Sequence, residues 1–340
     1  MGVKAVDIAR ELGLSKATVS LALNDKPGVK AGTKKLILEC RDRLESEARG
    51  YGTHVASGGK GDTIKLVIMN CNYRIAIEAE MDLWTDEKAV FNRIAKGWGC
   101  RLDIIYFDVG KEDINDLAEQ CNRDDVMGVI IEGTEITEKE CRMFNRIKKP
   151  LVLYDVDDTD NRYTAVMMDN RGGINSAMEC LVSKGYKDIV YLEMDKDIYN
   201  FQSRRNAFTE YMLSHNLCSN PMDHMFRMGG TIAEAYRRIG NYLDKYPLPD
   251  AFIAESYHLS IAAIRLFKER GIKMPDDVAF IGVDELPEFL TDGYTLSTVK
   301  IPLTERAKLT MIILKHEIED ACDMKTKLYT SCRFIEGNTV

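Results

Sequence analysis

Short apolar runs alternate with helical stretches from residue 63 onward, and this alternation restricts the possible fold more than any other feature. The apolar runs, rich in β-branched residues, lie at 64–69, 101–107, 127–133, 150–156, 165–169, 188–193, 251–254 and 278–283. Stretches with the helical period of about 3.6 residues lie between most of them, at 86–96, 171–184, 204–215, 231–245 and 259–270. Such alternation predicts parallel sheets with helices on both faces. About ten such strand–helix units contain more strands than one sheet usually holds. We therefore predict two doubly wound parallel α/β lobes.

Polar residues that directly follow these strands are candidates for a ligand site. Folds of this class bind ligands at the carboxyl ends of their strands, which here means the cleft between the lobes. The residues at such positions are Asn70, Asn72, Asp155, Asp169 and Asp284.

The first sixty residues differ in charge from the rest of the chain. The whole chain has a formal net charge of −8, whereas residues 1–60 contain eleven Lys or Arg against seven Asp or Glu. This asymmetry indicates a small basic module on an acidic body. Because only charge close to the phosphates affects DNA binding, the overall negative charge does not exclude it.

Residues 6–23 have the pattern of a helix-turn-helix. A short amphipathic helix over 6–12 is broken at Gly13, which supplies the positive φ of a tight turn. Ser15 is placed to cap a second helix that ends at about Leu23, before the turn-forming Asn-Asp-Lys-Pro-Gly. A third helix is predicted at about 33–48, and the predicted small core consists of Ile8, Ala9, Leu12, Leu14, Val19 and Ala22. The spacing alone also fits a three-helix cap that contacts protein.

In a helix-turn-helix the N-terminal residues of the second helix contact base edges in the major groove. Here the candidates for base contacts are Ser15, Lys16, Ala17, Thr18, Ser20 and Leu21. The Lys16 ammonium can donate to guanine, and the Ala17 methyl can contact thymine. The candidates for phosphate contacts are Lys26, Lys30, Lys34 and Lys35.

The segment VKAVDIARELGLSKATVSLALNDKPGVKAGTKKLILE resembles the DNA-binding domain of the lac repressor (LacI) family, chiefly through S-K-A-T-V-S followed by L-N-x-K-P-G-V. Leu21 departs from the family, which usually has Arg there. The family also has a hinge helix whose leucine inserts into the minor groove. Residues 52–61 instead contain four Gly and no Leu, which favours a flexible linker.

The body is similar to the family's sugar-binding core, a periplasmic-binding-protein type 1 fold. The similarity is carried by MMDNRGGINSAMECLVSKGYKDIVYLE, by RRNAF and by MPDDVAFIGVDELP. It implies that Arg204 and Asp284 bind effector hydroxyls or carboxylates. Ser256-Tyr257 stands where the family usually has Asn-Asp, and Tyr257 either stacks on a sugar ring or fills the cavity. The predicted effector-binding residues are Arg204, Asp284, Asp155, Ser256, Tyr257 and Asn70.

These observations predict a helix-turn-helix domain at 1–50, a Gly-rich linker at 51–62 and an effector-binding core at 63–340. The first lobe is expected at about 63–166 and 295–322, and the second at about 167–294 and 323–340. The function predicted is that of a homodimeric transcriptional repressor that binds a double-stranded DNA operator under control of a small polar effector, a sugar or derivative. The alternative is an intracellular small-molecule sensor with weakened DNA binding.

Several other classes lack support in the sequence. There is no G-x-S-x-G, H-E-x-x-H or G-x-G-x-x-G motif, and the five histidines form no i,i+4 pair, so we predict no enzyme, no cofactor and no metal site. Nine cysteines without C-x-x-C spacing predict free thiols in a reducing compartment. No apolar run has membrane-spanning length and the N-terminus is not a signal peptide. We therefore expect a cytoplasmic protein without membrane contact rather than a secreted solute-binding protein.

Overall fold

The structure is a computed structural model that describes residues 5, 8–9, 15–24, 26, 29, 33–34, 37–38, 41, 62–71, 85–319 and 324–340. The chain divides into two compact units, Met1–Gly59 and Lys60–Val340. Within the described ranges, no helix is long and apolar enough to cross a membrane.

In the N-terminal unit, the predicted second helix is confirmed as α1, Lys16–Leu23. Ser15 caps it, because its Oγ accepts a hydrogen bond from the Thr18 backbone N–H at 3.1 Å. A small buried cluster stabilises the unit and consists of Ile8, Ala9, Val19, Ala22 and Ile37. Four of these were predicted as core. Gly13, Leu12, Leu14, Lys30, Lys35 and the linker 52–61 lie outside the described residues.

The larger unit contains two sheets with helices on both faces, as predicted. Its strands are β1 (Thr63–Asn70), β2 (Arg101–Asp108), β3 (Val126–Glu132), β4 (Leu151–Tyr154), β5 (Thr164–Asp169), β6 (Ile189–Glu193), β7 (Met225–Arg227), β8 (Ala251–Ala254), β9 (Ala279–Val283), β10 (Ser297–Lys300), β11 (Lys327–Ser331) and β12 (Arg333–Ile335). Its helices are α2 (Thr85–Gly97), α3 (Ile114–Cys121), α4 (Asn170–Ser183), α5 (Tyr199–Ser214), α6 (Ile232–Lys245), α7 (Tyr257–Arg270) and α8 (Leu303–Glu319). Short 3₁₀ helices lie at Glu140–Arg146, Pro221–His224 and Glu288–Leu290.

The first sheet has the strand order β11-β5-β4-β3-β1-β2, and all its pairs are parallel. Strand β1 is buried throughout except at Asn70, as expected for a parallel strand covered on both faces. Its one charged side chain, Lys65, forms an ion pair with Asp103 of β2. Ile68 faces a core that includes Phe91 of α2 and Met311 of α8. Val67 faces the opposite core, with Leu117 of α3.

The second sheet has the order β12-β10-β9-β8-β6-β7, and only the β10–β12 pair is antiparallel. Helices α4 and α5 cover one face, where Met178 and Phe208 are fully buried. Helices α6 and α7 cover the other face with Ile239 and Phe267. Each sheet therefore forms the centre of one lobe.

The predicted lobe boundaries near the C-terminus are wrong. Strand β10 was expected in the first lobe, but its backbone pairs with β9 of the second sheet. Strand β11 was expected in the second lobe, but it pairs with β5 of the first sheet. The chain therefore crosses between lobes after Lys300 and again between Ser331 and Arg333. Short strands of similar composition do not reveal which sheet their hydrogen bonds complete.

Gly337→Ala tests the packing of the C-terminal segment on the second sheet. A Cβ at Gly337 would lie 1.9 Å from the Thr295 carbonyl oxygen, a backbone atom. We therefore expect a destabilisation of about 1–3 kcal/mol, measured by urea unfolding. The control is Gly97→Ala at the end of α2, where a Cβ meets nothing within 4 Å. Equal stability of the two variants would contradict the close approach of Gly337 to the Thr295 carbonyl oxygen.

Candidate functional site

A cavity lies between the lobes, where the carboxyl ends of the central strands meet, with about 780 Å³ of empty space that includes its opening to solvent. The predicted residues that line it are Asp155, Arg204, Ser256, Tyr257 and Asp284. The structure therefore brings together most of the residues predicted to bind effector. Asp155 follows β4 of the first lobe, and the others lie on or beside α5, α7 and β9 of the second lobe.

Asn70 is the exception, because it does not belong to the cavity lining. Its side-chain amide instead contacts Asp108, at the adjacent end of β2. Asp169, a further strand-end candidate, caps α4 by accepting the Gly172 backbone N–H at 2.8 Å. Asn72 lies outside the described residues.

Asp155 and Asp284 occupy equivalent positions in the two lobes. Each follows a central strand and has a left-handed backbone, with φ of 70° and 75°. Each backbone N–H still donates to the neighbouring strand, to Val166 at 3.0 Å and to Val299 at 3.1 Å. Left-handed non-glycine residues are uncommon and concentrate at functional sites. The carboxyl groups of Asp155 and Asp284 thus lie at corresponding positions in the two lobes and line the same cavity.

Arg306 at the start of α8 is the centre of a buried ionic cluster in the first lobe. It is 1% exposed. Its guanidinium donates to the Tyr154 hydroxyl at 2.8 Å, to Asp155 Oδ1 at 2.5 Å and to Glu87 Oε1 at 3.0 Å. Tyr154 also donates to Glu87. Burial raises the pKa of Glu87 to about 7 although Arg306 lowers it.

Glu132, the last residue of β3, lies in the same wall and is partly buried, with its Oε2 atom shielded from solvent. Its Oε1 contacts Thr134, whose hydroxyl also donates to Asp155 Oδ2 at 2.6 Å. Its Oε2 has no hydrogen-bond partner among the described residues. Burial raises the pKa of Glu132 to about 8. Because a hydroxyl has one proton, Thr134 can satisfy Asp155 while Glu132 remains protonated and donates to Thr134.

Arg204 on α5 belongs to a buried hydrogen-bond chain that joins the lobes, which we call the interlobe chain. Arg204 Nε donates to Asn170 at 2.8 Å, Asn170 donates to Asn200 at 2.7 Å, and Asn200 donates to the Asp155 carbonyl at 3.2 Å. A second guanidinium nitrogen donates to the Glu255 carbonyl at 2.7 Å. Arg204 is therefore held in place before any ligand binds, and its position depends on contacts from both lobes.

Ser256 begins α7 at the cavity wall. It is 4% exposed, and its Oγ neither caps the helix nor has another hydrogen-bond partner within the described part of the chain. The next residue, Tyr257, is buried and stacks on His258 with ring centroids 4.0 Å apart. Tyr257 thus packs against its neighbour and contributes to the wall, whereas Ser256 offers a hydroxyl to an occupant.

The predicted DNA-reading residues lie on or beside α1. Ser15, Lys16, Ser20 and Lys26 are exposed, whereas Thr18, Leu21 and Lys34 are partly buried. The Ser15 and Thr18 hydroxyls are 2.8 Å apart. The Ala17 side chain and Lys30 lie outside what the structure describes.

Comparison with known proteins places the chain among regulators. A family model described as a periplasmic binding protein-like domain matches residues 178–340. The chain is 25% identical over 307 residues to the probable HTH-type transcriptional repressor ExuR of Bacillus subtilis strain 168, covering 87% of this chain and 86% of that protein. It is 23% identical over 293 residues to catabolite control protein A of Priestia megaterium, covering 84% and 83%. Over most of its length the chain is thus similar to transcriptional regulators. This similarity agrees with the prediction of a regulator rather than an enzyme.

Solved structures of LacI-family proteins confirm the fold. A transcriptional regulator CelR–cellobiose complex has a TM-score of 0.70 at 19% identity, covering 98% of both chains. A lac repressor dimer bound to operator and the anti-inducer ONPF has a TM-score of 0.68 at 14% identity, covering 100% of this chain and 99% of that chain.

Sequence reasoning missed two important residues of this cavity. Glu132 lies next to the end of the predicted run 127–133 and is the last residue of β3, so the strand-end rule that selected Asp155 could also have found it. Arg306 gives no comparable signal. Its partners Asp155 and Glu87 are 151 and 219 residues away in the sequence, and only the fold brings them together.

No group of three potential metal ligands occurs among the residues that the structure describes. The polar groups of the cavity are instead suited to hydrogen bonding and ion pairing with an organic ligand.

Glu132→Gln tests the protonation of the buried carboxyl group. The pKa of Glu132 is raised from 4.5 to about 8, so between these pH values the folded protein keeps a proton that the unfolded chain releases. Its contribution to the free energy of unfolding therefore falls with rising pH, by up to about 1.4 kcal/mol per pH unit. Gln has no proton to release. We expect the variant to gain stability relative to wild type between pH 5 and 8, measured by urea unfolding.

The control for this experiment is Glu119→Gln, which changes an exposed carboxyl group on α3. Its stability relative to wild type should change little across the same pH range. A Glu132→Gln curve parallel to that of wild type would show that Glu132 is ionised in the folded protein.

Proposed function

We propose that this protein is a sequence-specific DNA-binding repressor in the cytoplasm whose operator affinity is set by a small polar effector, a sugar or sugar derivative, bound between the lobes. The observation that carries the proposal is the interlobe cavity that both Arg204 and Asp284 line. Arg204 offers guanidinium donors in a rigid arrangement, and Asp284 accepts hydrogen bonds from hydroxyl groups. The CelR–cellobiose complex and the operator-bound lac repressor dimer, to which the chain is similar, support both halves of this proposal.

DNA recognition is assigned to α1 in a homodimer. One helix-turn-helix makes few contacts, whereas two related by a twofold axis reach adjacent major grooves. The expected operator is a near-palindrome of about 14–20 base pairs, with half-sites about one helical turn apart. Exposed Lys16 and Ser20 are the proposed base contacts, and Lys26 is a proposed phosphate contact.

Effector binding is coupled to DNA binding through lobe closure. The interlobe chain connects Arg204 in the second lobe to Asp155 in the first, so a ligand that contacts Arg204 acts on a group shared by both lobes. The first lobe begins directly after the N-terminal unit in the sequence. Ligand and operator then both shift the equilibrium between the open and closed arrangements of the lobes. Each must therefore change the other's binding affinity by the same factor.

Lys16→Ala tests the DNA-reading role of α1. The exposed side chain contributes little to folding, so the variant should fold normally and bind its operator about 1–3 kcal/mol more weakly. Footprinting and gel shifts at one fixed salt concentration on the protein's own promoter region measure this. Lys96→Ala removes the same charge from an exposed position on α2 and should bind as wild type does.

Unchanged binding by Lys16→Ala would remove Lys16 from the base-reading set. Absence of any protected site, together with normal ligand binding, would instead favour a small-molecule sensor with weakened DNA binding.

Asp284→Asn tests the effector site with little disturbance of the fold. Among the described residues no ion pair holds the Asp284 carboxyl group, and Asn has nearly the same shape. We expect effector affinity to fall about tenfold or more, or ~1.4 kcal/mol, with operator binding by the unliganded protein unchanged. Arg204→Ala should abolish the effector response.

Calorimetry across a carbohydrate panel measures effector affinity, and gel shifts with and without ligand measure operator binding. Asp276→Asn, at an exposed position before β9, is the matched control. A ligand that binds wild type and both site variants equally would contradict the proposed site.

A further inference from the structure

We propose that the effector carries a positively charged nitrogen, as an amino sugar does, and that Glu132 is the residue that binds this nitrogen. The inference rests on the proposed function, because it assumes that the effector occupies the interlobe cavity.

Carboxyl groups outnumber the available cations in the cavity wall. The four carboxyl side chains of the lining are Glu87, Glu132, Asp155 and Asp284. The Arg and Lys side chains of the described lining are Arg204, Arg306 and Lys88, and His258 also lines the cavity. Lys88 directs its ammonium group towards Tyr106 on edge strand β2, with Nζ 3.5 Å from the hydroxyl and 5.6 Å from the ring centroid. Because Tyr106 is 49% exposed, this charge lies towards solvent.

The two arginines compensate only part of this acidity. Arg306 forms ion pairs with Glu87 and Asp155. Arg204 donates to an amide oxygen, a backbone carbonyl and the Met168 sulfur, so its hydrogen bonds are to neutral atoms. It lowers the pKa of Asp284, which burial raises more strongly. Like Asp284, Glu132 forms no ion pair among the described residues. The two arginines lower the pKa of Asp284, whereas the charged neighbours of Glu132 are Asp155 and Glu87, which raise its pKa further.

A positively charged group on the ligand would supply the counterion that Glu132 lacks among the described residues. A buried carboxylate without a counterion is costly, and the group avoids this cost by remaining protonated, as the raised pKa of Glu132 indicates. An ammonium group in contact with Glu132 provides the counterion and a donor for Oε2. A neutral hydroxyl provides the donor but no charge, and a carboxylate would add repulsion.

An independent feature shows that this cavity is built for a polar occupant. Ser256, on the opposite lobe, is 4% exposed, and its Oγ has no partner in the described part of the protein. Buried hydroxyl groups are normally hydrogen-bonded. The occupant therefore meets an unsatisfied polar atom from each lobe, Glu132 Oε2 in the first and Ser256 Oγ in the second.

The test is calorimetry of the full-length protein with matched sugars. The probes are D-glucosamine, D-galactosamine and D-mannosamine, each compared with its neutral parent hexose and its N-acetyl derivative, together with D-glucuronate and D-galacturonate. N-acetylation keeps the nitrogen and removes its charge. We expect at least one amine to bind tenfold or more tightly than both its neutral counterparts, and the uronates to bind more weakly than the amines.

Glu132→Gln tests the residue, because it keeps the shape and removes the charge. The ratio of the amine's affinity to that of its parent hexose should fall to threefold or less. Glu119→Gln, far from the cavity lining, should keep the wild-type preference.

The outcomes separate this inference from the proposed function. Neutral hexoses or uronates that bind as tightly as the amines, with dependence on Arg204 and Asp284, would overturn the inference and leave the proposed function intact. An amine preference that survives in Glu132→Gln would overturn the assignment of Glu132. Binding of no probe by the wild type would overturn both the inference and the sugar effector.

Discussion

Asp155 is the residue on which the geometry of the cavity depends. Arg306 and Thr134 of the first lobe bind its two carboxylate oxygens, and its backbone carbonyl accepts a hydrogen bond from Asn200 of the second lobe. One residue with a left-handed backbone therefore connects the ionic cluster of one lobe to the interlobe chain. Because both carboxylate oxygens are already engaged, Asp155 orients the site more than it recognises a ligand.

The buried charges serve specificity more than stability. Burying the guanidinium of Arg306 and two carboxyl groups carries a desolvation cost that their attraction offsets only in good geometry. Removing Arg306 would leave Glu87 and Asp155 uncompensated, so the cluster is held as a unit. The result is a first-lobe wall in which the oriented groups are fixed and Glu132 retains an oxygen without a partner among the described residues. Such a wall discriminates between occupants by charge, which a wall of apolar side chains does not.

The sequence predicted the elements that local patterns determine and failed where distant pairing decides. Periodicity located most strands and helices of both lobes, although the predicted stretches do not include α3 and α8. Ser15 with its following apolar positions located α1. The strand-end rule found Asp155 and Asp284 because a parallel sheet exposes those positions in every such fold. It wrongly selected Asn70, whose amide is used by Asp108. The sheet membership of β11 and the role of Arg306 depend on contacts across more than 150 residues, for which a single sequence has no local signal. The membership of β10 was also wrong, although its partner β9 directly precedes it among the strands.

Coupling between effector and operator requires more than a filled cavity. A ligand shifts a two-state equilibrium only by the difference between its affinities for the two states. Contacts confined to the first lobe would be equal in open and closed forms and would shift nothing. Arg204 meets the requirement because its hydrogen bonds extend through Asn170 and Asn200 to the opposite lobe. A ligand bound to Arg204 and to Glu132 at the same time contacts both lobes, and these contacts coexist only when the lobes hold one relative position. The residues that give the cavity its charge preference are thus also those that make binding sensitive to closure.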